Sequence, residues 1–273
     1  MSDNRRHIRL VVFDWAGTLV DDGCRAPVQV IREVLQEKGI ILEEDVIRES
    51  MGLRKRDHLV ALLNQPAVRA LWVHHQGSPW TEGDVDDLHD ALEERLPQVA
   101  QKASRPIPGV VTTLHRLKDE GLLFGSTTGY SRRTMVAVTT ANQDWATMIG
   151  AVVTADDVSQ GRPWPWMIYR NMEVNGVYPP GAVVKVGDTV QDIQEARNAG
   201  VWAVGVLLGG NTVGLTTAEW KGLAREEQDA RLSRASQTLK QAGAHSVIRS
   251  MEKLPETIQQ FNLLMEKEGL GIG

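Results

Sequence analysis

Ile8-Arg9-Leu10-Val11-Val12-Phe13-Asp14-Trp15-Ala16-Gly17-Thr18 is the stretch that decides the fold. Ile8 and Leu10 to Phe13 make a nearly continuous apolar run, which suits a central parallel strand buried on both faces. The run stops at Asp14, and a loop carrying Gly17 and Gly23 follows.

Downstream, from about Ala26 to Ala103, the pattern is purely helical. Pro27 suits a helix start, Val30, Ile31, Val34 and Leu35 recur at helical spacing, and Gly39 closes the segment. Further helices are expected at about 43–50, 54–64, 67–75 and 81–101, the last capped by Thr81 and carrying Val85, Leu88, Leu92 and Leu96. After Pro106 and Pro108, helices alternate with short apolar strands. Strands are expected at Leu122–Ser126, Ala151–Thr154, Val183–Val186, Val201–Leu207 and 244–248. The helices between and after them carry Val110 to Leu117 or span about 131 onward, 165–174, 191–199, 223–242 and 253 onward.

This alternation implies an α/β fold, a doubly wound parallel sheet. The helical block interrupts it after the first strand, so residues 24–103 are expected to form an inserted all-helical cap domain. Residues 1–23 and 104–273 then form the core. No repeat or low-complexity segment is visible.

Composition narrows the function classes. The chain has 273 residues, 42% of them hydrophobic, with 30 basic and 35 acidic side chains and a net charge of -5. Without a basic stripe, neither nucleic acid nor an anionic membrane is expected as a partner. No apolar run is long enough to span a bilayer. The polar stretch Met1–Arg9 does not read as a signal peptide, and the single cysteine, Cys24, excludes internal disulfides and suits a reducing cytoplasm. No strand leads into the glycine-rich turn of a dinucleotide-binding enzyme.

Ligands of open parallel sheets bind beyond the carboxyl ends of the strands. Asp14 lies at that edge, as do Thr127-Thr128-Gly129 and Gly187-Asp188-Thr189-Val190-Gln191-Asp192. Singly, Asp188 reads as a helix cap, Thr128-Gly129 as a turn and Arg162 as a surface residue. Together they read as a site. Carboxylates converging on one rim are costly without a cation, and magnesium, a hard ion that takes oxygen ligands, is the expected one. It would hold a phosphoryl oxygen while Asp14 attacks phosphorus, with Thr128 and Arg162 binding the other oxygens.

Several segments carry a resemblance over nearly the whole chain: Asp14-Trp15-Ala16-Gly17-Thr18, Met51-Gly52-Leu53-Arg54-Lys55-Arg56-Asp57-His58, Gly125-Ser126-Thr127-Thr128-Gly129-Tyr130, Gly161-Arg162-Pro163-Trp164-Pro165-Trp166-Met167 and Lys185-Val186-Gly187-Asp188-Thr189. The sequence resembles the haloacid dehalogenase superfamily and, within it, the phosphonatase family. Most phosphatases of the superfamily carry a second aspartate two residues after the nucleophile, to protonate the leaving alkoxide. Here that position is Ala16, as in phosphonatases. Loss of that acid typically costs a phosphomonoesterase roughly 10²–10⁴-fold.

The resemblance implies cleavage of phosphonoacetaldehyde by water to acetaldehyde and phosphate. It assigns an imine-forming amine to Lys55, a metal-ligating carbonyl to Ala16 and metal roles to Asp14, Asp188 and Asp192. His58, three residues after Lys55 on one helical face, is expected to relay protons. Burial would lower the Lys55 pKa, aided by Arg54 and Arg56 if they face the pocket; without the resemblance, Arg54-Lys55-Arg56 reads as a solvated face. Cys24, Met51, Gly129 and Tyr130 fall where the family lines its substrate cavity, although small buried Cys and Met are also generic core residues. Trp164 and Trp166 read as packing residues. The chain departs from the family at Leu19 and Asp22, which flank the hinge, and matches it loosely from about Arg132 to Met148. A homodimer joined through the caps is implied. The rivals are a phosphatase or phosphomutase on the same fold, and a non-catalytic binding protein.

Overall fold

The computed structural model describes residues 7–268. Residues 1–6, most of the segment read as no signal peptide, and 269–273, the end of the expected core, lie outside the described residues. The chain runs β1 (Leu10–Phe13), then α1 (Arg25–Gln36), α2 (Glu44–Arg48), α3 (Lys55–Asn64), α4 (Pro66–Gln76) and α5 (Glu82–Ala103). There follow α6 (Val110–Asp119), β2 (Leu123–Thr128), α7 (Arg132–Thr140), α8 (Gln143–Ala146), β3 (Ala151–Thr154), α9 (Trp166–Asn175) and β4 (Val183–Gly187). The last elements are α10 (Val190–Ala199), β5 (Trp202–Val206), α11 (Thr217–Gly222), α12 (Arg225–Gln241), β6 (Ser246–Ile248) and α13 (Leu254–Glu268).

All six strands are parallel, in the order β3-β2-β1-β4-β5-β6. β1 is the hinge of this order: the chain lays β2 and β3 on one side of it and β4 to β6 on the other. Alternation along β1 divides the core between the sheet faces. Leu10 and Val12 pack with Ile168, Ile193 and Leu239 from α9, α10 and α12, while Val11 and Phe13 pack with residues of α6, α7 and α13. The helical block leaves the sheet between β1 and β2, with α5 packed on α1, α3 and α7.

The expected elements are present, with four differences. β2 runs two residues further than expected, because Thr127 and Thr128 pair with Val153 and Thr154 instead of starting the turn. The polar helix expected at 223–242 is α12, and a helix that was not expected, α11, precedes it. Thr216 and Glu219 form a capping box that starts α11, and extended backbone at Leu223 and Ala224 separates it from α12. The loosely matched segment holds the extra helix α8, fixed by Asn142, which accepts from Trp145 Nε1 at 3.0 Å. Trp164, on the loop entering α9, and Trp166, its first residue, are expected to pack but are 49% and 41% exposed. Among the described residues no helix is long and apolar enough to cross a membrane.

Candidate active site

The site forms where β1, β2 and β4 end side by side, the point at which the strand order reverses. The Asp14 amide donates to Val186 O at 2.9 Å, which continues the β1–β4 pairing and fixes Asp14 at the rim. The chain then turns sharply: Trp15 O accepts from Leu19 and Val20, and Gly17 takes a positive φ of 85°. No side chain fits at Gly17, since a Cβ there would lie 2.3 Å from Asp188 Oδ2.

Asp14, Asp188 and Asp192 each bring a carboxylate oxygen into a cluster whose members all lie within 4.8 Å of one another. Their surroundings differ. Asp14 Oδ1 accepts from Arg162 Nη2 at 2.8 Å. Asp192 accepts from Thr189, the N-cap of α10, and pairs with Lys185 at 2.8 Å and Arg162 at 3.0 Å. Asp188 accepts from Thr18 Oγ1 at 2.6 Å and from the Asn211 amide at 2.7 Å, and among the described residues no cation pairs with it. Burial pushes the Asp188 carboxyl well above the carboxylate range, and the neighbouring Asp14 and Asp192 add to this. Burial also raises Asp14, against the pull of Arg162. Burial opposes charge at Asp192 too, but there Arg162 and Lys185 prevail and the pKa falls below its usual value.

A buried carboxylate with free lone pairs and no cation is costly unless an ion neutralises it. The donor set is all oxygen, which fits a hard divalent cation. Asp192 is paired with two cations, Lys185 and Arg162, Asp14 with Arg162 alone and Asp188 with none among the described residues, so Asp14 and Asp188 are the more available ligands.

Arg162 is buried among acceptors. Besides Asp14 it donates to Glu195 through Nε at 3.0 Å and to Thr127 O at 2.7 Å. Burial disfavours its charge, but Asp14, Asp192 and Glu195 more than offset this and raise its pKa. Nη2 is the corner of its guanidinium that meets the nucleophile. Thr128 Oγ1 accepts from the Tyr130 amide at 3.1 Å, which leaves its hydroxyl hydrogen to donate.

The helical block meets the core here. Asp14, Ala16, Cys24, Met51, Lys55, Thr128, Gly129, Tyr130 and Arg162 line one narrow cavity, together with Pro27, Gly52 and Thr189. Gly129 permits the contact, because a Cβ at that position would stand 2.3 Å from Leu53 O. Lys55, first residue of α3, is 3% exposed, and its Nζ lies 5.4 Å from the Tyr130 ring centroid. Burial lowers its pKa, and Arg162 adds to this against the opposing pull of Cys24 and Asp14. The expected help from Arg56 is absent, because Arg56 turns outward to Glu82 at 2.6 Å and Asp86 at 2.9 Å.

His58 does not line the cavity. It is fully buried behind Lys55, with Nε2 2.8 Å from Ile47 O, so the ring proton sits on Nε2 and Nδ1 is a free acceptor. Burial, then the Lys55 charge, bring its pKa to about 3. Cys24 is a buried thiol whose pKa burial raises well above the ordinary value, as it does for Tyr130. Between β1 and α1, Leu19 O accepts from the Ile107 amide at 3.0 Å, and Asp22 Oδ2 accepts from Thr217 N at 2.6 Å, so both departures from the family pattern are bonded to later segments of the chain.

Some residues of the site escaped the sequence reading. Lys185 and Glu195 are fully buried beneath Arg162, and a lysine in the middle of a valine-rich strand was the available signal. Glu195 follows Asp192 by three positions, which puts both on one face of α10. Asp21 caps α1, accepting from the Arg25 and Ala26 amides at 2.9 and 3.0 Å, and burial raises its pKa to about 6.

Fold and donor set define a hydrolase of the haloacid dehalogenase class, and the family model described as "Haloacid dehalogenase-like hydrolase" matches residues 11–206. The chain is 40% identical over 252 residues to phosphonoacetaldehyde hydrolase of Bacillus cytotoxicus, covering 92% of this chain and 96% of that protein. A solved structure, a phosphonoacetaldehyde hydrolase-like protein from Oleispira antarctica, superposes with a TM-score of 0.93 at 32% identity, over 95% of this chain and 94% of the other. The chain belongs to the phosphonoacetaldehyde hydrolase family of the haloacid dehalogenase-like hydrolases. It is also 41% identical, over 92% of its length, to a bifunctional phosphonoacetaldehyde hydrolase/aminoethylphosphonate transaminase of Clostridioides difficile, and spans 40% of that longer protein.

Proposed function

We propose that this chain hydrolyses the carbon–phosphorus bond of phosphonoacetaldehyde to acetaldehyde and phosphate, with residues 24–103 closing as a cap over a core of 1–23 and 104–273. The observation that carries the reading is a lysine, Lys55, buried in one cavity with Asp14 while Ala16 stands where a general acid would be. Carbon bound to phosphorus leaves poorly as a carbanion, so the electron pair needs a sink.

The Lys55 amine attacks the aldehyde carbon, water leaves, and the protonated imine is that sink. Asp14 then attacks phosphorus; the carbon–phosphorus bond breaks, its electrons reach the imine nitrogen, and an enamine and an aspartyl phosphate remain. Water hydrolyses the aspartyl phosphate. Protonation of the enamine at carbon and hydrolysis of the imine release acetaldehyde and restore Lys55. His58, whose Nδ1 is a free acceptor and which lies three residues after Lys55 on α3, relays protons, while Thr128, Gly129 and Arg162 hold the phosphoryl group. Cys24, Met51 and Tyr130 enclose the two-carbon fragment and exclude water. Magnesium fits the all-oxygen donors of Asp14, the Ala16 carbonyl and Asp188, with Asp192 beside them, and when bound it supplies charge neutralisation for attack by an anion on an anion. A homodimer joined through the caps and a cytoplasmic setting belong to the same reading. The first rests on family resemblance and the second on a single buried, unpaired cysteine.

The test is an assay of the purified protein on phosphonoacetaldehyde beside simple phosphate monoesters. The reading expects phosphate from the aldehyde and little from the esters. Preference for the esters would make this an ordinary phosphatase.

Two further outcomes are expected. Lys55 must be unprotonated to attack, so kcat/KM should rise with pH as it deprotonates, with a midpoint below the ordinary lysine value of about 10.4. His58, held near 3, should add no step between about pH 5 and 8. A rising limb that stays at the ordinary lysine value would count against a buried amine. Gly129→Ala places a methyl against Leu53 O and should hold the cap off the core. Steady-state kinetics should show kcat/KM lower by about 10²-fold, the effect of displacing reacting groups by roughly 1 Å.

A further inference from the structure

Arg48, the last residue of α2, is 8% exposed although its helix is only five residues long. Its Nη1 donates to Gly23 O at 3.0 Å and to Asn211 Oδ1 at 3.1 Å, and its Nη2 reaches Gly214 O at 3.5 Å. Asn211 answers by donating from Nδ2 to Arg48 O at 3.1 Å. One residue of the helical block is thus bonded twice to one side chain of the core, through its guanidinium and through its backbone carbonyl. The backbone amide of the same Asn211 holds Asp188 Oδ2 at 2.7 Å.

The intervening loop has little room to move independently. A Cβ on Gly210 would lie 2.6 Å from Asp188 Cβ, and one on Gly214 would lie 3.2 Å from Arg48 Nε. Residues 210–214 are therefore clamped between the carboxylate that lacks a protein cation and an arginine of the helical block.

We propose that Arg48 and Asn211 form a latch that couples seating of the cap to the setting of Asp188 as a metal ligand. The inference rests on the reading of Asp188 as a ligand given above. Neither residue reaches the reacting atoms, so both are positioning residues. With the cap seated, the Arg48–Asn211 pair fixes the loop, and the loop holds one oxygen of Asp188 while Thr18 holds the other. With the cap lifted, the Asn211 amide is free to drift and Asp188 loses a fixed orientation. Partners that orient a metal ligand typically change metal affinity by about 10–100-fold when removed.

The experiment is titration of the metal-free full-length protein with Mn²⁺, free ion being read by electron paramagnetic resonance. Arg48→Met keeps length and apolar bulk but cannot donate, and is expected to weaken Mn²⁺ binding by about tenfold. Asn211→Ala keeps the backbone amide and loses only the bonds to Arg48; the same weakening is expected. The double variant should be no weaker than Asn211→Ala alone, which already removes both bonds between the two residues. Arg48→Lys should recover part of the affinity.

Wild-type Mn²⁺ affinity in folded Arg48→Met and Asn211→Ala, even with a lowered Tm, would reduce the pair to a structural contact and overturn the latch. If Arg48→Met fails to fold, Asn211→Ala decides alone. Asp188→Asn with unchanged Mn²⁺ affinity would overturn both the latch and the metal reading. A wild-type protein that cleaves no phosphonoaldehyde, with Mn²⁺ affinity still responding to Arg48→Met, would overturn only the proposed reaction.

Discussion

Lys55→Arg is expected to lower phosphate release from phosphonoacetaldehyde on the order of 10⁴-fold or more, the scale on which loss of a group that acts covalently registers. Arginine keeps a positive charge and a long stem, so an electrostatic role for residue 55 would largely survive the change. A guanidinium stays protonated in proteins and does not condense with an aldehyde at neutral pH. Without the imine, the carbon–phosphorus electron pair has no acceptor, and Ala16 offers no proton in its place. The carboxylate cluster of Asp14, Asp188 and Asp192 is untouched, so Mn²⁺ binding should be unchanged. An arginine variant working at full speed would mean that Lys55 serves as a charge and not as a nucleophile.

Asp14→Asn is expected to lower turnover by on the order of 10⁴–10⁶-fold, because the amide is nearly isosteric but does not attack phosphorus. It should leave imine formation at Lys55 intact, since that step precedes attack and uses a different residue. Arg162 would lose one partner and keep Asp192 and Glu195. Stability offers a second reading. Burial raises the Asp14 pKa, so this carboxyl favours the fold most at low pH, below its ordinary value of 3.8, and that contribution is lost as pH rises through the raised pKa. In metal-free protein, Asp14→Asn should therefore melt at or above the wild type at pH 8, and the difference should shrink as pH falls. Thermal melts across pH check the sign, and phosphate release checks the rate. Substantial residual turnover in the asparagine variant would place the nucleophile elsewhere.

Both variants act on groups that the sequence exposed for different reasons. Asp14 was legible because β1 is apolar without interruption and the carboxylate ends it. The doubly wound sheet and the helical insertion were legible because their hydrophobic periods differ. Lys55 was not legible from its surroundings, since Arg54-Lys55-Arg56 has the pattern of a solvated face. Only the resemblance singled out Lys55, and the structure separates the three by burying Lys55 and turning Arg56 to Glu82 and Asp86.

The supporting residues were hidden because they act across long stretches of chain. Glu195 meets Arg162 and Thr127, and Arg48 meets Asn211, through contacts that no local period encodes. The cavity also exists only because Gly129 and Gly52 let backbone approach backbone and side chain at distances a Cβ would forbid. A glycine in a turn gives the same local signal whether it merely turns or also admits a neighbour.

The proposed reaction passes through a covalent bond between substrate carbon and the Lys55 nitrogen. Borohydride added to enzyme turning over phosphonoacetaldehyde, followed by peptide mass mapping, tests it most directly. Inactivation with a stable two-carbon adduct on Lys55 is expected, in both the wild type and Asp14→Asn. An adduct on another residue, or none from enzyme that is visibly releasing phosphate, would contradict it.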